Sequence, residues 1–148
     1  MIQEEYNVLG NMDTLEVLDG LRVLVVDDDV DSLALVRFIL EQYDAQVSAT
    51  TSTRQAFDVI RLWEPDILIS DIAMPDEDGY SLLRKVRNLP GEIAQIPAIA
   101  LTALVKQETL ARVLDSGFST YVAKPFDPDE LVKVVATLVL QRASLAIS

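Results

Sequence analysis

The sequence predicts an α/β fold, a doubly wound five-stranded parallel sheet of the (βα)5 type, and three observations carry that prediction. Five short runs rich in β-branched and aliphatic residues read as strands buried on both faces, as parallel strands are. These runs alternate with five helical stripes, which asks for right-handed crossovers and helices on both faces of the sheet. Four of the runs stop at polar residues that a core would not hold, and parallel strands deliver all of them to one edge.

The elements follow in order. Residues 1–20 carry Glu4, Glu5, Asp13, Glu16 and Asp19 and no Lys or Arg, so they read as an acidic extension or linker, helical around Met12–Leu18 and closed by Gly20. The domain itself is expected over 21–142, with 143–148 as a C-terminal tail. Leu21–Val26 is the first strand and ends at Asp27-Asp28-Asp29. Asp29 or Asp31 can cap the next helix, whose inner face is Leu33, Val36 and Leu40. Gln46–Ala49 is a short second strand. Ser52-Thr53-Arg54-Gln55 has capping-box spacing and opens a helix with Ala56, Val59, Ile60 and Trp63 on one stripe; Trp63 reads as core or core edge.

The third strand, Ile67–Ser70, ends at Asp71 and leads into Met74-Pro75-Asp76-Glu77-Asp78-Gly79, a loop punctuated by Pro and Gly whose acids read as loop and helix-cap residues. Leu82, Leu83 and Val86 mark the third helix, which ends before Pro90-Gly91. Pro97–Leu101 is the fourth strand and stops at Thr102. The fourth helix is expected to hold Leu110, Val113 and Leu114 inward and to close at Gly117. Tyr121–Ala123 is the fifth strand, ended by Lys124-Pro125. Asp127-Pro128-Asp129-Glu130 starts the last helix with a cap, a proline at the first position and an acid. Its core stripe is Leu131, Val134, Val135 and Leu138, and the outer Val132, Ala136 and Leu140 read either as a partner surface or as a wider core stripe.

Composition narrows the chemistry. At 148 residues and 50% hydrophobic the chain has room for one compact domain. It holds no cysteine and no histidine. That excludes disulfides, thiolate zinc sites, imidazole metal sites and a Ser-His-Asp triad, and it fits a reducing cytoplasm. A net charge of −12 opposes direct nucleic-acid binding. No apolar run approaches the roughly 20 residues that span a bilayer, and the first residues lack a signal-peptide layout. A soluble, cytoplasmic protein is expected.

The polar strand ends form one constellation: Asp27 and Asp28, Asp71, Thr102 and Lys124. Carboxylates this close raise one another's pKa unless a cation offsets them. Oxygen ligands without imidazole or thiolate favour Mg²⁺. An Asp so neutralised can attack a phosphoryl group, with Lys124 as a point charge and the Thr102 hydroxyl as a donor to the transferred oxygens. Asp71 is the candidate nucleophile.

From about Leu21 to Leu140 the chain resembles the receiver domain of two-component response regulators, the CheY-like fold with strand order 2-1-3-4-5. Asp27-Asp28 resembles the family's acidic pair, and Asp71-Ile72-Ala73-Met74-Pro75 with Asp78-Gly79 resembles its phosphoacceptor and following loop. Thr102-Ala103, Lys124-Pro125-Phe126 and Tyr121 fall on the family's Thr/Ser-Ala pair, its lysine with a cis-proline, and its aromatic switch position. The resemblance implies that Asp28, Asp71 and the Ala73 carbonyl ligate Mg²⁺, with Asp27 acting through water. It further implies that a histidine kinase or phosphotransfer protein donates the phosphoryl group to Asp71. Thr102 would then move inward, Tyr121 would follow, and the surface of the fourth helix, fifth strand and fifth helix would change for a downstream partner. Homodimerisation through that same surface fits the family.

Ala73 and Leu104 occupy the positions that tend to steer the hydrolytic water in this family, and neither side chain can hold one, so slow self-dephosphorylation is expected. Other readings fit less well. An aspartyl-phosphate phosphatase usually places an acid where Ala73 stands, and a flavodoxin-like FMN carrier wants a Ser/Thr/Gly phosphate loop where this chain has three acids. A scaffold that has lost phosphorylation would not need the full motif set. The domain is expected to be a signalling module rather than a turnover enzyme, either a stand-alone regulator or the receiver of a larger sensor kinase. With the sequence ending a few residues past the last expected helix, no output domain is expected on this chain.

Overall fold

The computed structural model describes residues 14–74, 77–103 and 106–147, with the side chains of 14, 15 and 144–147 outside that description. Its elements are α1 (Thr14–Leu18), β1 (Arg22–Val26), α2 (Val30–Glu41), β2 (Gln46–Thr50), α3 (Thr53–Trp63), β3 (Ile67–Asp71), α4 (Gly79–Arg87), β4 (Ala98–Thr102), α5 (Gln107–Asp115), β5 (Thr120–Ala123) and α6 (Pro128–Ile147). The strands form one parallel sheet in the order β2-β1-β3-β4-β5. This is the doubly wound α/β fold that the strand and helix signals call for.

Alternation along each strand feeds two cores. Val23 and Val25 of β1, Ile67 and Ile69 of β3, and Ile99 and Leu101 of β4 pack on one face against α2 and α6. Leu24, Val26, Leu68, Ala98 and Ala100 pack on the other against α3, α4 and α5. Every residue of β3 and β4 is buried, as central parallel strands require.

The helices start where short polar side chains satisfy free backbone N–H groups. Asp29 caps α2 by accepting from Asp31 N–H and the Ser32 hydroxyl, Ser52 caps α3, and Asp78 caps α4 by accepting from Ser81 N–H. Asp127 accepts from Asp129 N–H at the start of α6. Helix α5 ends through Gly117, whose φ of +104° lies in the region that favours glycine.

The structure corrects one of these expectations and decides or refines others. Leu114 is not inward: α5 offers the core a narrow stripe centred on the buried Val113, and Leu114 is 50% exposed. Val132 and Ala136 are buried, so the stripe of α6 is wide and they are core rather than partner surface; Leu140 is half-buried. Helix α6 runs to Ile147, past the point where a tail was expected. Leu18, within the segment read as an extension, is fully buried in the core, and α1 packs against α6. A 3-10 turn at Glu92–Gln95, absent from the sequence reading, precedes β4. Trp63 is half-buried at the core edge, with the Arg22 guanidinium 6.0 Å from its ring. Met12, Pro75, Asp76 and Leu104 lie outside the described residues.

Candidate functional site

The carboxyl ends of β1, β3 and β4 and the end of β5 bring together the residues singled out in the sequence. Register explains the convergence: Val26 pairs with Ser70, Asp71 with Leu101, and Thr102 with Ala123. Asp27 and Asp71 therefore emerge side by side, Thr102 on the next strand and Lys124 beyond it. One carboxylate oxygen from each of Asp27, Asp28 and Asp71 lies within 4.8 Å of the other two.

The three acids are not equivalent. Asp27 is fully buried, and both its oxygens are engaged: Oδ1 accepts from Asp29 N–H at 2.9 Å and Oδ2 from Lys124 Nζ at 2.6 Å. Asp28 is exposed. Asp71 is 8% exposed; its Oδ1 accepts from Ala73 N–H at 3.1 Å, and its Oδ2 faces Lys124 Nζ at 3.6 Å. Asp28 is thus the solvent-facing carboxylate of the three and Asp71 the more loosely engaged of the two buried ones, while Asp27 holds the lysine. An all-oxygen set of this size can hold a small hard cation such as Mg²⁺.

Electrostatics follow from that packing. Burial, reinforced by the neighbouring Asp27 and only partly offset by Ala73 N–H and Lys124, pushes Asp71 up to about 6. Burial works against the Lys124 ammonium, but the hydrogen bond to Asp27 and the charges of Asp71, Asp27 and Asp29 outweigh it and hold the lysine above its ordinary value. Lys124 is therefore a fixed positive charge at any physiological pH.

The remaining candidates are placed as follows. Thr102 is buried at the end of β4, and its backbone carbonyl accepts from Lys124 N–H at 2.8 Å. The Lys124-Pro125 bond is cis, as the resemblance implies. Tyr121 is half-buried and packs on the core beneath α5. Ala73 is exposed at the rim.

Sequence reasoning gave Gly79 only a punctuating role, and here it has a steric one. A Cβ at Gly79 would stand 2.5 Å from the Asp71 carbonyl and 3.0 Å from the Ser70 hydroxyl, closer than a real Cβ comes to backbone. The absence of a side chain lets α4 start directly against the end of β3, with Gly79 N–H donating to Ile72 O. Glu77 was read as a loop acid. Its Oε2 accepts from the buried Thr53 hydroxyl at 2.9 Å and its Oε1 pairs with Lys85 at 2.9 Å, contacts between residues far apart in sequence that no local pattern announces.

A buried carboxylate at the edge of a doubly wound sheet, flanked by two further acids and a lysine, is the arrangement that the resemblance to receiver domains leads one to expect. The comparisons with known proteins agree. Residues 23–136 match the family described as response regulator receiver domain, and the chain belongs to that family. It is 44% identical over 125 residues to an uncharacterized 14.6 kDa protein in the sodA1 3′ region of Leptolyngbya boryana, covering 84% of this chain and 92% of that one. It is 36% identical over 126 residues to the virulence transcriptional regulatory protein PhoP of Salmonella choleraesuis, covering 85% of this chain and 55%, about half, of that one. The solved signal receiver domain of a signal transduction histidine kinase from Syntrophus aciditrophicus is 31% identical, with a TM-score of 0.74, covering 81% of this chain and 90% of that one. As a receiver domain the chain is a signalling module of two-component systems, whose receivers work with histidine kinases and downstream effectors. No helix among the described residues is long and apolar enough to cross a membrane.

Proposed function

We propose that this receiver accepts a phosphoryl group on Asp71 in the cytoplasm, from a histidine kinase or a phosphotransfer protein, and thereby resets the α5-β5-α6 surface for a downstream protein partner. The observation that carries the reading is the convergence of three carboxylates within 4.8 Å beside Lys124, with Asp71 as the acid whose outer oxygen faces the lysine. Asp28, Asp71 and the Ala73 carbonyl would hold Mg²⁺, with Asp27 behind them. The ion would neutralise the acidic edge and polarise the phosphoryl oxygens.

The residues of the chain supply the rest. An Asp71 oxygen attacks phosphorus in line; the bond from phosphorus to the donor's imidazole nitrogen breaks, and its electron pair stays on that nitrogen. Lys124 already stands 3.6 Å from Asp71 and pairs with a new phosphoryl oxygen. The Thr102 hydroxyl donates to another, and the movement of Thr102 opens room that Tyr121 follows into. The domain modifies itself and turns over no separate substrate. Leu114, half exposed on α5, gives the altered surface an apolar centre for the partner or for a second copy of the chain. The partner is a protein and not a nucleic acid, in keeping with a net charge of −12.

The test is intact mass after incubation with Mg²⁺ and acetyl phosphate, followed over time beside Asp71→Asn. A gain of one phosphoryl group in the parent alone is expected, and it decays slowly because Ala73 offers no polar group to the hydrolytic water. No gain in a folded parent would refute the reading.

A further inference from the structure

We propose that Glu77 is a positioning residue for the divalent cation: held by Thr53 and Lys85, its carboxylate ties the loop after Asp71 to α3 and α4 and fixes Asp71 and the Ala73 carbonyl. The inference rests on the reading of the acidic edge as a metal site. Thr53 is 4% exposed and belongs to the first turn of α3, on the β2 side of the sheet. Its hydroxyl donates to Glu77 Oε2 at 2.9 Å across 24 residues of chain. A buried hydroxyl donating to a carboxylate is among the stronger hydrogen bonds a side chain makes. Lys85 of α4 completes the tie at 2.9 Å and also lies 6.0 Å from the Phe57 ring of α3.

The connection to the site runs through described backbone. Asp78, next to Glu77, caps α4, and Gly79 N–H donates to the carbonyl of Ile72. Ile72 lies between Asp71 and Ala73, whose N–H bonds the Asp71 carboxylate. Motion of Glu77 is therefore passed through Gly79 to both groups that would ligate the cation. Both partners hold Glu77 in its charged form, which lowers its pKa.

Three variants separate positioning from charge and from fold. Thr53→Val keeps the shape of the buried side chain and every charge, but removes the tie to α3 while the Lys85 pair to α4 remains. Glu77→Ala removes tie and charge together, whereas Glu77→Gln keeps an acceptor for Thr53. Mg²⁺ affinity is read by calorimetry on the full chain, and the rate constant of phosphorylation by acetyl phosphate is followed against Mg²⁺ concentration. Partners that bond a metal ligand directly are worth roughly 10- to 100-fold in affinity. Glu77 acts through one further link, so Thr53→Val is expected to weaken Mg²⁺ binding by about fivefold. Glu77→Ala should weaken it more and Glu77→Gln less, with a higher Mg²⁺ concentration needed for half-maximal phosphorylation and an unchanged rate constant at saturating Mg²⁺. Unchanged affinity in a folded Thr53→Val overturns the proposal while leaving the site reading intact. A parent that binds no Mg²⁺ overturns both.

Discussion

Asp71→Asn should make the metal-free protein more stable at neutral pH, because the structure stores cost in that carboxylate. Asp71 sits 8% exposed, with Asp27 beside it, and its pKa rises from 3.8 to about 6. A group whose folded pKa lies above its unfolded value costs nothing at low pH. The cost grows as pH rises through that interval and is full above it. The interval is about two units at about 1.4 kcal/mol each, which bounds the gain near 3 kcal/mol. That bound already contains the attraction of Lys124, 3.6 Å away, but the Asn amide of the variant has a burial cost of its own. The net gain is therefore expected at about 1–2 kcal/mol, with the Ala73 hydrogen bond retained by the Asn oxygen. Urea denaturation in EDTA, with both proteins compared at pH 7.5 and pH 4.5, measures it. The gain should fall by more than half at the lower pH, where the parent's Asp71 is protonated. Adding Mg²⁺ at pH 7.5 should stabilise the parent more than the variant. A variant no more stable than the parent at pH 7.5, or one with the same gain at both pH values, would refute the reasoning.

Three further outcomes follow from the same geometry. Lys124→Met leaves the buried Asp27 carboxylate without the ammonium that now sits 2.6 Å away, and should cost about 3 kcal/mol in EDTA, partly restored by Mg²⁺, as read by urea midpoints. Gly79→Ala must displace backbone at the end of β3, since its Cβ would meet the Asp71 carbonyl at 2.5 Å; a loss of about 2 kcal/mol and a weaker Mg²⁺ affinity are expected from denaturation and calorimetry. Leu18→Ala should cost about 2–3 kcal/mol by thermal or chemical unfolding, because Leu18 is fully buried although it precedes the first strand; a neutral effect would place α1 outside the cooperative unit.

The sheet was legible because each central strand is short, β-branched and bounded by turn residues. The acidic edge was legible because parallel strands leave no choice about where Asp27, Asp71, Thr102 and Lys124 emerge. The helix caps at Asp29, Ser52 and Asp78 were equally readable, being matters of local spacing. What escaped depends on tertiary contact. Leu114 and Val132 look alike in a helical pattern, and only the packing of α5 on Val113 and of α6 against α1 and α2 decides that one is exposed and the other buried. Leu18 belongs to the core because α1 folds back on α6, a pairing of opposite ends of the chain that hydrophobic period does not announce. Glu77 found Thr53 across the loop edge, and Gly79 owes its place to a carbonyl eight residues earlier. A pattern reader sees such residues as an acid and a turn signal, and nothing more.

The central claim is that Asp71 is the acceptor, and the most direct measurement is borohydride reduction after reaction with acetyl phosphate and Mg²⁺. Reduction of an aspartyl phosphate converts that residue to homoserine, which peptide mass mapping locates. The account predicts homoserine at position 71 alone, and none when EDTA replaces Mg²⁺. Label at Asp27 or Asp28 with Asp71 unmodified, or no label in a folded protein, would contradict it.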